Sequence, residues 1–239
     1  MGIKTEEIAA YLKGIALFSS LGSEERLSLA STARQTAKKA DQILLHEGQT
    51  PAHIYLLKKG AVVYCFLHPC GKKSIILHIG PNKPFAVEAA LMSSRLSGVL
   101  EVAEDAVVLA ISADAVKRCM ETNIVFANQV IRHAMTSTLR LTDLLKDLSF
   151  AASARLSRYL FRRALESSVP HGEGVCFDLG MRKGMLADYL GITPETLSRS
   201  FSQLQSGGVI TVKGSKIIVN NARDLVRLSE GFQGQENLS

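Results

Sequence analysis

The chain has 239 residues, 46% hydrophobic and 21% charged, with a formal net charge of +6. That composition excludes disorder over most of the length, and no apolar run approaches the roughly 18 residues a membrane helix needs. Basic and acidic side chains number 17 and 14 over residues 1–150 and 11 and 8 over 151–239, so bulk charge marks neither half as nucleic-acid-binding. At the N-terminus, Glu6, Glu7 and Lys13 interrupt the stretch where a signal peptide would be apolar, which points to a cytoplasmic protein. Ile8, Tyr11, Leu12 and Ile15 share one face of a helix. A turn follows at Leu17–Gly22, with Ser23 as the expected N-cap of a second helix.

From about residue 36 short β-prone runs take over: Gln42–His46, His53–Leu57, Ala61–Leu67, Ser74–Ile79 and Val99–Ile111. Turn signals at Glu47-Gly48, Lys59-Gly60, Pro69-Cys70-Gly71 and Gly80-Pro81-Asn82 separate them, which predicts an antiparallel barrel or roll. A long helix starts near Asp114 or Asn123. Its heptad a positions take Ile124, Ile131, Thr138 and Leu145, and its d positions Ala127, Ala134, Leu141 and Leu148. Val125, Val130, Met135, Leu139 and Leu144 lie off that stripe, so the helix has apolar residues for its own domain and for a symmetry mate. The expected dimer seam is Ile124, Ala127, Ile131, Ala134, Leu141, Leu145 and Leu148. Helical patterning resumes to about Ser167, then come a loop over 168–174, a short strand at Val175–Asp178, two helices and a hairpin over Val209–Val219.

The two helices fit a helix-turn-helix over Lys183–Arg199. Ala187 is small where the helices cross, Gly191 supplies the turn, Thr193 caps the second helix and Pro194 occupies its first position. Leu186, Leu190, Ile192 and Leu197 would form the shared core. Gly207-Gly208 ends the second helix and Gly214 sits in the hairpin turn, which makes the unit a winged helix. Glu195, Ser198 and Arg199 share the face near the helix N-terminus, the end that enters the major groove in this motif. Arg199 can donate twice to guanine and Glu195 can accept from cytosine; their spacing also allows an ion pair along the helix. No GxGxxG, GxSxG or HExxH motif appears, and Glu104 and Asp105, adjacent on a strand, point to opposite faces, so no enzyme is expected.

Leu17-Phe18-x-x-Leu21, Glu47-Gly48, Ile54-Tyr55-Leu56-Leu57-x-x-Gly60, the long helix and Pro194-Glu195-Thr196-Leu197-Ser198-Arg199 together resemble the CRP/FNR superfamily of bacterial transcription regulators. The resemblance implies an α+β fold: a cyclic-nucleotide-binding-type antiparallel β-roll over 1–120, a dimerisation helix over 121–150 and a winged helix-turn-helix over 151–239. It implies DNA contacts from Thr193, Pro194, Glu195, Ser198 and Arg199, with double-stranded inverted-repeat DNA, a second copy of the chain, RNA polymerase and a small-molecule effector as partners, and no membrane. Glu195, Ser198 and Arg199 match the E-x-x-S-R pattern of the FNR-like branch, which suggests an operator core like TTGA…TCAA. Ser200 departs from the pattern, because helix-turn-helix cores usually bury an aliphatic residue there.

The sensor cassette also departs. Nucleotide-binding members resemble F-G-E-x-x-L followed by R-S/T-A, whose glycine and arginine receive the phosphate. Here Phe85-Ala86-Val87-Glu88-Ala89-Ala90-Leu91 keeps the glutamate and places Val87 at the glycine, while Arg95 falls one residue out of register and Ser97 follows. The expected effector pocket is Phe85, Val87, Glu88, Ala89, Arg95 and Ser97, and cyclic AMP is not expected in it; a cyclic-AMP-responsive regulator is the alternative. An FNR-type iron–sulfur cluster is not expected either, because the first cysteine is Cys65. Ala86 and Glu88 cannot reproduce the Cys/His pair of the carbon-monoxide-sensing relatives. The apolar cassette resembles the denitrification-regulator branch, which uses haem to sense nitric oxide, so haem is the candidate cofactor. His53, His68, Cys70, His78 and Met92 are candidate iron ligands, with no assignment among them. Cys65 and Cys70 could form a redox pair, although Cys65 lies in a strand pattern that buries it.

Overall fold

The computed structural model describes residues 5–68, 73–172 and 174–231. They divide into two compact units, Met1–Arg140 and Leu141–Ser239, and the division falls within one helix. In the first unit, α1 (Thr5–Lys13) buries Ile8 and Leu12 on the face the spacing predicts, and Ile15 is buried just beyond its end. A 3-10 turn (Ala16–Phe18) leads to α2 (Ser23–Ser31). Ser23 is the first helical residue rather than the cap. Gly22 takes that place, and its N–H is bonded 2.7 Å from Glu25 Oε2.

Six antiparallel strands follow: β1 (Arg34–Lys38), β2 (Ile43–Leu45), β3 (His53–Leu67), β4 (Lys73–Ile79), β5 (Pro84–Phe85) and β6 (Val99–Ser112). The sheet runs β1-β6-β3-β4, with β2 also on β6 and β5 also on β3. The two strands expected on either side of Lys59-Gly60 are one. Gly60 is not a hairpin turn but a bulge: the β3–β6 register shifts there, Gly60 has φ +87°, and a Cβ on it would lie 2.3 Å from the Asp105 carbonyl oxygen. Residues of alternate faces feed two cores. Leu57, Val62, Leu100, Val102 and Val108 pack together, whereas Ile54, Leu56, Leu109 and Ile111 join the cluster that contains Leu12 and Phe18.

The short α3 (Val87–Leu91) lies between β5 and β6. Of the two starts offered for the long helix, the one at Asn123 holds: α4 (Ala113–Thr122) is a separate helix and α5 (Ile124–Leu148) follows it. Asn123 separates them. Its Oδ1 accepts the Phe126 N–H at 3.0 Å, and its Nδ2 donates to Glu25 at 2.9 Å, which holds that carboxyl below its usual range. Within the first unit α5 buries Phe126 and Val130 in the cluster that holds α1 and α3 residues, and Ala127 is buried beside them in sequence.

The second unit takes the last turns of α5, then α6 (Ala152–Ser167), β7 (Val169–His171), β8 (Gly174–Asp178), α7 (Lys183–Leu190), α8 (Pro194–Ser206), β9 (Ile210–Lys213), β10 (Lys216–Val219) and α9 (Ala222–Ser229). Its sheet runs β7-β8-β10-β9. The segment expected as a loop thus contains a strand, β7, hairpinned onto β8, and α9 packs on α6. Asp147, in the last turn of α5, is buried. Arg158 Nε donates to its Oδ1 at 2.5 Å, Arg162 donates to its Oδ2, and the Arg158 guanidinium also covers the Phe150 ring, 4.7 Å from its centroid, and reaches the Ser229 carbonyl. One carboxylate therefore joins α5, α6 and α9.

Removing that carboxylate leaves two guanidinium groups without their shared acceptor. Asp147→Asn should destabilise the second unit by about 2–4 kcal/mol, below the fully buried figure because Arg162 is partly exposed. Thermal unfolding followed by circular dichroism checks this.

Candidate nucleic-acid interface

The second unit builds its exposed helix by local rules. α7 ends at Gly191, whose left-handed backbone (φ 64°, ψ 37°) costs a glycine little. The Ile192 N–H returns to the Ala187 carbonyl at 3.0 Å, closing the helix end while the chain turns. Thr193 then caps α8: its Oγ1 accepts the Thr196 N–H at 3.2 Å, and Pro194 stands at the first helical position. Leu186, Ala187, Leu190, Leu197, Phe201 and Leu204 are buried between the helices. Ser200 is buried among them without an orphaned hydroxyl, because its Oγ donates to the Thr196 carbonyl at 3.0 Å. That intrahelical bond, together with buried Phe201, is how the core accepts a serine.

The opposite side of α8 is open. Pro194, Glu195, Ser198, Arg199, Ser202 and Gln203 line one shallow exposed concavity, so the helix brings four of the five predicted DNA contacts to one face, and Thr193 caps the end of that face. Ser202 and Gln203 were not singled out in the sequence; continuing the helical spacing one turn past Arg199 would have found them. Glu195 and Arg199 form no ion pair. Arg199 Nη2 donates instead to Thr196 Oγ1 at 3.2 Å, which lies 3.1 Å from Thr193 Oγ1. Glu195 is held below the usual carboxylate range by its own backbone N–H first, and then by the Thr193 hydroxyl. Beyond α8, Gly214 makes the hairpin turn with φ +62° and exposes Lys213 and Lys216 at its tip.

The predicted effector residues of the first unit are placed differently from one another. Phe85 and Val87 are buried, and the Val87 side chain packs in the cluster with Phe126 and Val130. Ala86, with φ 55°, starts α3. Ala89 is half-buried. Arg95 and Ser97 are exposed, and Ser97 Oγ lies 2.8 Å from the Tyr64 hydroxyl. Glu88 Oε1 is buried and has no hydrogen-bond partner. On α5, burial lowers the pKa of His133, opposed by the charge of Glu88 and reinforced by Arg140 and Lys83.

The residues put forward as iron ligands are not gathered. His53 opens the 15-residue β3 and His68 follows its last residue, so the two stand at opposite ends of that strand. His68 Nε2 is bonded to Ser74 Oγ, and Met92 is exposed. Cys70, and with it the proposed pair with Cys65, lies outside the described residues, and Cys65 itself is buried with its thiol pKa raised by desolvation. Among the described residues no three His, Cys, Asp or Glu side chains are grouped to hold a metal ion, and no helix is long and apolar enough to cross a membrane.

Residues 154–228 match the Crp-like helix-turn-helix domain, and residues 36–123 match the cyclic nucleotide-binding domain. The chain belongs to the CRP/FNR superfamily. CRP/FNR regulators known by name are similar over most of its length. It is 24% identical over 199 residues to the anaerobic regulatory protein of Aggregatibacter actinomycetemcomitans, covering 82% of this chain and 76% of that protein. It is 24% identical over 195 residues to the regulatory protein HlyX of Actinobacillus pleuropneumoniae, covering 80% of each. The structure of FixK2 from Bradyrhizobium japonicum superposes with a TM-score of 0.73 at 21% identity, covering 82% of this chain and 96% of that one. The fold is thus that of CRP/FNR transcription regulators, with an effector-type domain first and a helix-turn-helix second. The relatives named are regulators, not enzymes.

Proposed function

We propose that the chain acts as a homodimer that binds an inverted-repeat operator through α8 and changes its DNA affinity in response to a non-nucleotide effector in the β-roll. The observation that carries the DNA role is the α8 face itself: Glu195, Ser198 and Arg199 stand exposed together on a helix whose cap, turn and core are all made by the motif. Such a helix enters the major groove by its N-terminal end, where Arg199 can address guanine and Glu195 cytosine. A regulator of this kind works next to RNA polymerase.

Support for the dimer comes from α5. Ile124, Val125, Ile131, Met135, Leu139 and Leu145 are exposed along it, more apolar surface than a lone soluble helix leaves in water. A second copy would cover that surface by two-fold symmetry, and a two-fold dimer calls for half-sites centred about 10–11 base pairs apart. Ala127, buried in its own unit, and half-buried Ala134 lean away from this stripe, and Met135 stands on it.

Support for a non-nucleotide effector comes from the cassette. A phosphate needs close backbone approach and a buried cation. Val87 buries a side chain at the glycine's place, and Arg95 is exposed. The polar contact on offer is Glu88, with one buried oxygen unpaired.

Ile131→Glu should convert the dimer to monomer in sedimentation experiments, because each copy would bring a charge to the shared seam. Arg199→Ala should cost about 1–3 kcal/mol per half-site and relax the preference at its guanine. Equal losses on operator and random DNA would make Arg199 a phosphate contact instead. Calorimetry with cyclic AMP should show no micromolar binding; binding that also raised operator affinity would restore the nucleotide reading.

A further inference from the structure

We propose that Thr196 is a positioning residue for DNA readout: its hydroxyl, bonded also to Thr193 at the helix cap, holds the Arg199 guanidinium in place before DNA arrives. The inference rests on the DNA-readout role proposed above for Glu195 and Arg199.

Hydrogen-bond capacity fixes the role of Thr196 toward Arg199. A threonine hydroxyl has one hydrogen to give and two lone pairs to receive with, and an arginine only donates. Arg199 Nη2 lies 3.2 Å from Thr196 Oγ1, so Thr196 is the acceptor there. Thr196 Oγ1 also lies 3.1 Å from Thr193 Oγ1, a bond in which either hydroxyl can donate. Thr193 Oγ1 in turn accepts the Thr196 N–H at 3.2 Å, so the acceptor for Arg199 is itself fixed to the helix cap.

This arrangement does what a direct ion pair would not. If Glu195 and Arg199 bonded each other, DNA would have to separate them before either met a base. Through Thr196 the guanidinium is restrained without being paired to Glu195, and Arg199 still has four of its five N–H groups for a guanine edge. Restraining a long side chain before binding lowers the entropy lost on binding. Thr196 is half-buried beside the cap.

The test uses the full chain, an operator selected from random DNA by the unaltered protein, the same operator with its guanines replaced, and random-sequence DNA, read by fluorescence anisotropy. Thr196→Val keeps the shape and removes the hydroxyl. It should weaken operator binding about tenfold, a hydrogen bond's worth in each half-site, and narrow the preference for the guanines. Thr196→Ser should restore both. In an Arg199→Ala background Thr196→Val should have no further effect. Equal loss on operator and random DNA, or loss that persists in the Arg199→Ala background, would overturn the proposal, since Thr196 would then touch phosphate or only support the helix. Loss in Arg199→Ala with none in Thr196→Val would overturn it alone. An unaltered protein that selects no operator would overturn it together with the readout role on which it rests.

Discussion

A 25-residue helix with apolar residues on two sides cannot cover both within its own chain. That constraint organises α5. Phe126 and Val130 turn toward α1 and α3 and are buried completely or nearly so, while Ile124, Ile131, Met135, Leu139 and Leu145 remain in water. Swapping the two sets would cost the first unit its core, because Phe126 stacks on Phe18, with ring centroids 6.0 Å apart. The inward stripe is therefore fixed by packing, and the outward stripe is left exposed. Asn123 settles where this helix begins, since its side chain caps α5 and bonds Glu25 in the same stroke.

The far end of α5 is secured by charge instead of apolar packing. Asp147 accepts from two arginines of α6, and one of those arginines also bonds the carbonyl of Ser229 at the end of α9. A hydrophobic contact tolerates sliding; a carboxylate held by two guanidinium groups has one arrangement that satisfies it. The last turn of α5 is thus fixed within the unit that carries α8. The one helix α5 belongs to the first unit at one end and to the second at the other.

What was legible in the sequence follows from the range of the forces involved. Gly191, Thr193 and Pro194 act on backbone within one turn, so the helix-turn-helix could be read residue by residue, and so could the winged hairpin with Gly214 in its turn. The roll was legible as a class but not in detail. β1 has every residue exposed or partly so and shows no alternation, so nothing in Arg34–Lys38 announces a strand that is paired along its whole length with β6. Lys59-Gly60 looks like a turn because glycine at positive φ serves turns and bulges equally; only the Asp105 backbone pressed against it decides. Asp147 gave no signal either, since its partners lie 11 and 15 residues away on another helix. A 3.5-residue repeat cannot say which of two apolar stripes faces the chain's own core, so the burial of Phe126, Ala127 and Val130 in the first unit was not legible from the heptad.

The candidate sites divide along the same line. The α8 groups proposed to meet DNA were visible because helical spacing alone puts them on one face. The threonine linkage between them was not, because it depends on rotamers: Thr193 was singled out as a cap, but that its hydroxyl also serves Glu195 and Thr196 follows only once the side chains are placed. In the β-roll the relation is reversed. The sequence showed a lost glycine and a displaced arginine, and the structure supplies the reason they go together. With Val87 buried among Phe126 and Val130, the start of α3 contributes to the core what a phosphate site would have left open, so an arginine nearby has no anion to meet and stays in solvent. Glu88 alone retains an unsatisfied buried oxygen there, and its charge acts on His133 of α5. A ligand that brings a hydrogen-bond donor to that oxygen would supply a bond the protein does not make for itself, which makes donation to Glu88, not neutralisation of a phosphate, the chemistry to expect of the effector.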